Sequence, residues 1–322
     1  MRELRIARDD AGQRLDRFLP KAVPLLPTSL LQKYLRLGRM KVNGRPAKRD
    51  TRLAEGDVLT LYVSDEFFEP IREENAFRKI GTPRVEVVYE DENLLLADKP
   101  AGVLCHSAEP ADIHTLITNI QAYLYRSGEW DPSAAHAFAP ALCNRIDRNT
   151  RGLVIAAKNS EALRILNERI RSRELDKLYL CAVHGRPAPP AGTLTGYLFK
   201  DAKKNQVFVS ERMKPGAKSA EMQYRTLATR GGLSLVECLL LTGRTHQIRA
   251  QLAHTGTPLL GDGKYGSERQ NKPFGEKSQA LCSYKLRFSF QGDAGPLEYL
   301  RGREFRVNDV DFVRKYFPSH EI

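Results

Sequence analysis

The residue types able to do chemistry gather around one carboxylate. Asp147 lies in the stretch Arg145-Ile146-Asp147-Arg148-Asn149-Thr150-Arg151-Gly152-Leu153. The polar part reads as a turn, and the apolar run from Gly152 to Ala157 as a strand. A turn at a strand end sets a side chain at the rim of a sheet, within reach of a substrate. Arg145, Arg148 and Arg151 bring positive charge to the turn, which favours an ionised carboxylate. Such an anion suits a nucleophile better than a general acid. Taken alone, the same loop reads equally well as a surface carboxylate in ion pairs.

The elements that must position this carboxylate come from a chain of 322 residues, long enough for one large domain and a small one. A hydrophobic content of 41% is ordinary for a globular protein. The 51 Lys and Arg exceed the 39 Asp and Glu, and the net charge of +12 points to a polyanion such as nucleic acid. Cys105, Cys143, Cys181, Cys238 and Cys282 show no ligand spacing and read as reduced thiols of a cytoplasmic protein. The charged first twenty residues are unlike a signal peptide, and no apolar run is long enough to span a membrane.

Residues 1–63 carry 14 Lys and Arg against 7 acids. Thr28-Ser29 can cap a helix through Leu30, Leu31, Tyr34 and Leu35, ending at Gly38. Met40–Asn43 reads as a strand, Asn43-Gly44 as a tight turn and Val58–Val63 as a strand. Residues 64–83, with five acids and two prolines, read as a linker that Phe67 and Phe68 could anchor. Beyond it, strands are predicted at Val85–Tyr89, Leu94–Ala97, Leu178–Val183, Leu233–Leu241, Ser283–Phe290 and Leu297–Val307. Helices are predicted over 112–126, from an Asn159-Ser160 cap to about Arg173, and over Asp309–Tyr316. Strands outnumber helices without alternating with them, which implies an α+β fold. Lys99-Pro100-Ala101-Gly102 reads as a turn.

Four ordered blocks carry a resemblance. They are VVYEDENLLLADKPAGVLCHS at 87–107, NRIDRNTRGLVIAAKN at 144–159, DKLYLCAVHG at 176–185 and LTGRTHQIRAQLAHTGTPLLGDGKYG at 241–266. Together they resemble pseudouridine synthases of the RluA family over about residues 85–307. The RLDRFLP and GRMKVNG segments of the first 63 residues resemble an S-four-type RNA-binding domain. The resemblance implies a mixed, mainly antiparallel central sheet with flanking helices over 84–322, beside the small α/β domain. It implies isomerisation of uridine to pseudouridine in RNA, with no cofactor and no metal. Asp147 would act on the ribose or the base, by an adduct or a glycal route. Tyr179 would be the tyrosine that stacks on the target base, with Lys177 on the same strand face.

Within 241–266, Thr245 can cap a helix that turns Ile248 and Leu252 inward. Arg244 and His246 then lie at its N-terminus, with Arg244 the first choice and Arg249 the second to pair with Asp147 or a phosphate. Residues 200–220 hold six Lys and Arg against two acids and read as an exposed basic hairpin or loop. The expected RNA contacts are Arg145, Arg151, Lys177, His246 and Arg249 around the site, and Lys203 and Lys204 in that loop. In the N-terminal block they are Lys33, Arg36, Arg39, Lys41, Arg45, Lys48 and Arg49. The target uridine is expected to leave its stack to reach Asp147. Asn144 and Arg151 depart from the family pattern, where a His and a small residue are common, and bear on which RNA is contacted.

Large-subunit ribosomal RNA is the expected substrate, acted on by a monomer. Transfer RNA, or a non-catalytic role in ribosome assembly, are the alternatives. A methyltransferase would need a Gly-rich cofactor loop after a strand, and a glycosidase a second facing carboxylate; the blocks offer neither.

Overall fold

A computed structural model of the protein describes residues 1–68, 76–107, 112–134, 136–201 and 206–320. The middle of the expected linker, 69–75, lies outside the described residues, as do Lys203 and Lys204.

The N-terminal module runs β1 (Arg2–Arg5), α1 (Leu15–Ala22), α2 (Thr28–Arg36), β2 (Met40–Val42), β3 (Arg45–Pro46) and β4 (Val58–Leu61). Its sheet has the order β1-β4-β2-β3. Asn43 and Gly44 both take positive φ, 49° and 78°, which suits the two-residue turn that pairs Val42 with Arg45. Leu15, Phe18, Leu31, Met40, Leu59 and Leu61 make a core of their own, and Phe68 joins it. Gly38 follows the end of α2 at φ 64° as expected. The start of α2 differs: Pro27 occupies the cap position with no side-chain bond, so neither Thr28 nor Ser29 caps the helix.

The larger unit contains β5 (Val87–Glu90), β6 (Leu94–Lys99), α3 (Leu116–Arg126), β7 (Ala141–Leu142), β8 (Arg151–Ala157), α4 (Ser160–Arg171), β9 (Leu175–His184), β10 (Ala191–Asp201), β11 (Gln206–Ser210), β12 (Lys218–Arg230), β13 (Leu233–Leu240), α5 (Gln247–His254), α6 (Glu268–Asn271), β14 (Leu281–Phe288), β15 (Glu304–Arg306) and α7 (Asp311–Tyr316). Among the described residues, eleven strands form one sheet. Its path is β11-β10-β12-β13-β9-β14-β8-β6-β5, with β15 on β14 and β7 on β8. The β14–β8 pairing is parallel and the others described are antiparallel, so the sheet is mixed and the fold α+β.

The central strands are apolar at consecutive positions because both faces are covered. Leu94, Leu96, Leu153 and Ile155 face α4, while Leu95, Ala97, Val154 and Ala156 face α3. Asn159 caps α4 by accepting from Ala162 N. Residues 297–307 are not one strand. Gly295–Leu300 form a 3-10 turn before β15, with Pro296 near its start and Leu297 and Leu300 buried three apart. Among the described residues no helix is long and apolar enough to cross a membrane.

The two units are docked. Asp10 is fully buried and accepts the backbone N–H groups of His136 and Ala137 at 2.7 and 2.9 Å. Asp9 accepts from Ser160 N at 3.0 Å, at the electropositive end of α4. On the other side of 69–75, Phe77 and Ile80 pack on α3 with Trp130.

At the seam between β14 and β8 the two strands leave no room for a side chain at Gly152. Gly152 has φ 123°, and a Cβ there would lie 2.2 Å from Ser283 O. Gly152→Ala is expected to cost roughly 3 kcal/mol or more through overpacking and backbone strain. Urea midpoints of parent and variant check this; a loss under about 0.5 kcal/mol, the range of ordinary surface changes, would contradict it.

Candidate active site

A cleft of about 1010 Å³ opens where the turn before β8 meets β9 and the start of α5. Asp147 lines it with its side chain 27% exposed. The turn is held from below by Lys99, which is fully buried. Its Nζ donates to the carbonyls of Pro100, Val103 and Arg148 at 2.8, 2.8 and 2.9 Å. Gly102 N also donates to Arg148 O, and Cys105 Sγ to Ile146 O. Each carbonyl neighbouring Asp147 is therefore tied down, which fixes the direction of the carboxylate.

Arg249 is the partner of Asp147, at 3.3 Å from Nη1 to Oδ2. Its Nε and Nη2 form a fork on the fully buried Asp262, at 2.7 and 2.9 Å. Asp262 also accepts the backbone N–H groups of Lys264 and Tyr265. Burial alone would raise the pKa of Asp262, but the bonds and charge of Arg249 bring it below the ordinary value. Arg249 is itself desolvated, yet Asp262 and Asp147 together raise its pKa.

This corrects the expected pairing. Arg244, the first choice, lies outside α5 and gives its Nε to Ser219 O at 3.0 Å. It lines the cleft without pairing with Asp147. Thr245 does not cap the helix. His246 takes that position in a left-handed conformation, φ 53°, with no side-chain cap bond. Gln247 closes the preceding loop by accepting from Thr242 Oγ1 and Arg244 N. Within α5, Gln247 to Leu252 are all buried, Arg249 among them.

Tyr179 and Lys177 both line the cleft from β9. The Tyr179 ring is buried among Ile248, Leu281 and Ile146, and this burial raises its pKa, keeping it a neutral phenol. Burial lowers the pKa of Lys177. His246 Nε2 stands 3.8 Å from Asp147 Oδ2, and Arg145 lies exposed on the cleft wall. Arg171 and Arg173 add to this basic wall, and sequence reading gave them no role.

Other expected residues lie elsewhere. Arg151 pairs with the buried Asp98 at 2.9 Å and with Asp311 at 3.3 Å, outside the cleft lining. Arg148 donates to Gly102 O, so neither arginine serves as the counter-ion of Asp147. Asn144 lines the cleft, but its side-chain oxygen accepts from Ile155 N at 2.8 Å and works as an extension of strand pairing. Lys33, Arg36, Arg39, Arg45, Lys48 and Arg49 are exposed on the N-terminal module and Lys41 is half-buried; none lines the cleft. Arg49 shares the Asp16 carboxylate with Arg14. Lys99, Asp262 and Tyr265 fell inside the quoted blocks but had no assigned role. Only the blocks themselves signalled them. Among the described residues no cluster of three or more His, Cys, Asp or Glu is arranged to hold a metal ion.

The cleft holds a solvent-reachable carboxylate clamped beside the sheet seam, and comparison with known proteins gives the class of protein that carries it. Residues 93–254 match the RNA pseudouridylate synthase family. An uncharacterized RNA pseudouridine synthase of Mycoplasma genitalium is 32% identical over 88% of this chain and 88% of its own length. A ribosomal large subunit pseudouridine synthase C of Vibrio cholerae is 30% identical over 82% of this chain and 80% of its own. Among solved structures, human RNA pseudouridylate synthase domain containing 4 superposes with a TM-score of 0.52 at 23% identity, covering 69% of this chain and 87% of that one, which supports the fold. The chain belongs to the RNA pseudouridylate synthase family, as an RluA-type isomerase of uridine in RNA.

Two outcomes test the geometry. Arg249→Met is expected to cost about 3–5 kcal/mol of folding stability, because it leaves Asp262 buried and uncompensated. Denaturant unfolding checks this, and a smaller cost would mean that water reaches Asp262. Burial lowers the pKa of Lys99 to about 8. An unfolded lysine holds its proton up to about 10.4, so between those values the unfolded state binds more protons and stability rises with pH. A neutral amine has two hydrogens for three carbonyls, so activity should fall over the same range. Parallel profiles of kcat and urea midpoint should diverge above pH 8, and a common rise in both would refute the clamp.

Proposed function

We propose that the enzyme modifies uridines of large-subunit ribosomal RNA and that Asp147 is its catalytic carboxylate. The observation that carries the site assignment is the Asp147–Arg249–Asp262 arrangement. It holds one ionisable group of the cleft partly in solvent and tied to a buried cation. The reaction moves the attachment of uracil from N1 to C5, with N1 gaining the proton that C5 loses. A fixed carboxylate suits attack on the ribose or assistance to its bond breaking. Tyr179, as a neutral phenol on the cleft wall, suits a role beside the base and in proton transfer.

The substrate reading rests on relatives named as large-subunit synthases and on the basic N-terminal module, read as an S-four-type RNA-binding domain. Lys33, Arg36, Arg39, Arg45 and Lys48 present exposed cations there, suited to phosphates. Its docking on Asp9 and Asp10 gives that surface a set position relative to the cleft. We further infer a cytoplasmic monomer, in keeping with five free thiols.

Asp147→Asn is expected to bind RNA as the parent does and to form no pseudouridine. Carbodiimide-stop mapping of ribosomal and transfer RNA, from cells with and without the gene, then names the substrate. Lost stops confined to transfer RNA would overturn the ribosomal assignment. Pseudouridine formed by Asp147→Asn would overturn the assignment of the carboxylate.

A further inference from the structure

Tyr265 joins the β10–β11 hairpin to His246, the neighbour of Asp147, through a single hydroxyl. Its Oη lies 2.9 Å from the backbone nitrogen of Val207 in β11 and 2.9 Å from Nδ1 of His246. The other ring nitrogen of His246, Nε2, is 3.8 Å from Asp147 Oδ2. The proton positions follow from what each atom can do. Val207 N–H can only donate, so Oη accepts there. The one hydroxyl proton then goes to Nδ1, the other polar atom bonded to Oη among the described residues. An accepting Nδ1 leaves the imidazole proton on Nε2, facing Asp147.

The opposite tautomer carries two costs. It would leave the hydroxyl proton without an acceptor in a half-buried site. It would also set the lone pair of Nε2 against the carboxylate oxygens. Burial lowers the His246 pKa; Asp147 and Asp262 oppose this, while Arg249 and Lys264 reinforce it, and the net shift favours the neutral ring. Tyr265 also lies under Arg249, whose guanidinium carbon is 5.1 Å from the ring centroid. One side chain thus touches both groups that face Asp147.

We propose that Tyr265 is a positioning residue, which fixes His246 as the Nε2–H tautomer and ties the placement of the β10–β11 hairpin to that ring, the neighbour of the catalytic carboxylate. The proposal rests on the reading of Asp147 as catalytic. The 3.8 Å separation is too long for a hydrogen bond, so Nε2–H is aimed at the carboxylate without being bonded to it.

Nitrogen-15 NMR of the imidazoles in the intact chain tests the tautomer without any reliance on activity. The parent should show His246 neutral with its proton on Nε2, and Tyr265→Phe should show a mixture of tautomers. A parent ring protonated on Nδ1 overturns the proposal, even if the variant does not fold. In kinetics, Tyr265→Phe should lower kcat roughly ten-fold, about the worth of one hydrogen bond, with KM for RNA changed less than about two-fold. The same substitution should have no further effect in a His246→Ala background. An unchanged kcat in a folded Tyr265→Phe, or an equal fall in both backgrounds, overturns it. An active Asp147→Asn would instead overturn the underlying site assignment, which keeps the two failures distinct.

Discussion

The site depends on one guanidinium shared between two carboxylates of unequal burial. Asp262 is fully enclosed, and its charge is tolerable only because Arg249 meets it with two hydrogen bonds and backbone N–H groups take the remaining lone pairs. That leaves one nitrogen, Nη1, for Asp147. One cation is thus shared by two carboxylates, and Asp147 is the one that keeps access to water. The enclosed acid and the cleft acid are distinguished by solvent rather than by chemical type.

Several parts of the fold serve this arrangement. Lys99 replaces water as donor to three carbonyls, so the turn bearing Asp147 can be both irregular and buried underneath. Gly152 lets β8 approach β14 closely enough for a parallel pairing, and Asp147 sits five residues before it at the mouth of that seam. The returning loop with Asp262 and Tyr265 is pinned to β9 through Leu260 N and Ala182 O, which holds the clamp in register with Tyr179. The basic N-terminal module does not depend on the covalent connection alone for its placement. The buried Asp10 gives it a defined seat instead.

Much of this arrangement is legible in the amino-acid sequence. The turn-then-strand reading of 144–157, the Asn159 cap, the hairpin at Asn43-Gly44 and the apolar stripes of the central strands follow from local rules, and local rules govern them in the structure. The reading failed at α5. The helix starts one residue later than a Thr245 cap implies, with His246 at the cap, and α5 is buried throughout Gln247 to Leu252, so no polar face marks which side chain meets Asp147. His246 reaches that position through a left-handed backbone, which its sequence neighbours do not signal. Residues 297–307 failed for a similar reason, because apolar spacing of three and alternation overlap in a short segment.

The sequence by itself determined the family, the α+β class, the turn-and-strand setting of Asp147 and the excess of basic charge. These rest on residue identity and short-range periodicity, which travel with the chain. Only the tertiary structure decided the partners. Arg249 rather than Arg244 faces Asp147, Arg151 turns away to Asp98, and Lys99 and Tyr265 reach backbone far from them in sequence. Those choices depend on where side chains a hundred residues apart converge and on which of several like charges loses its water. No local pattern records either quantity.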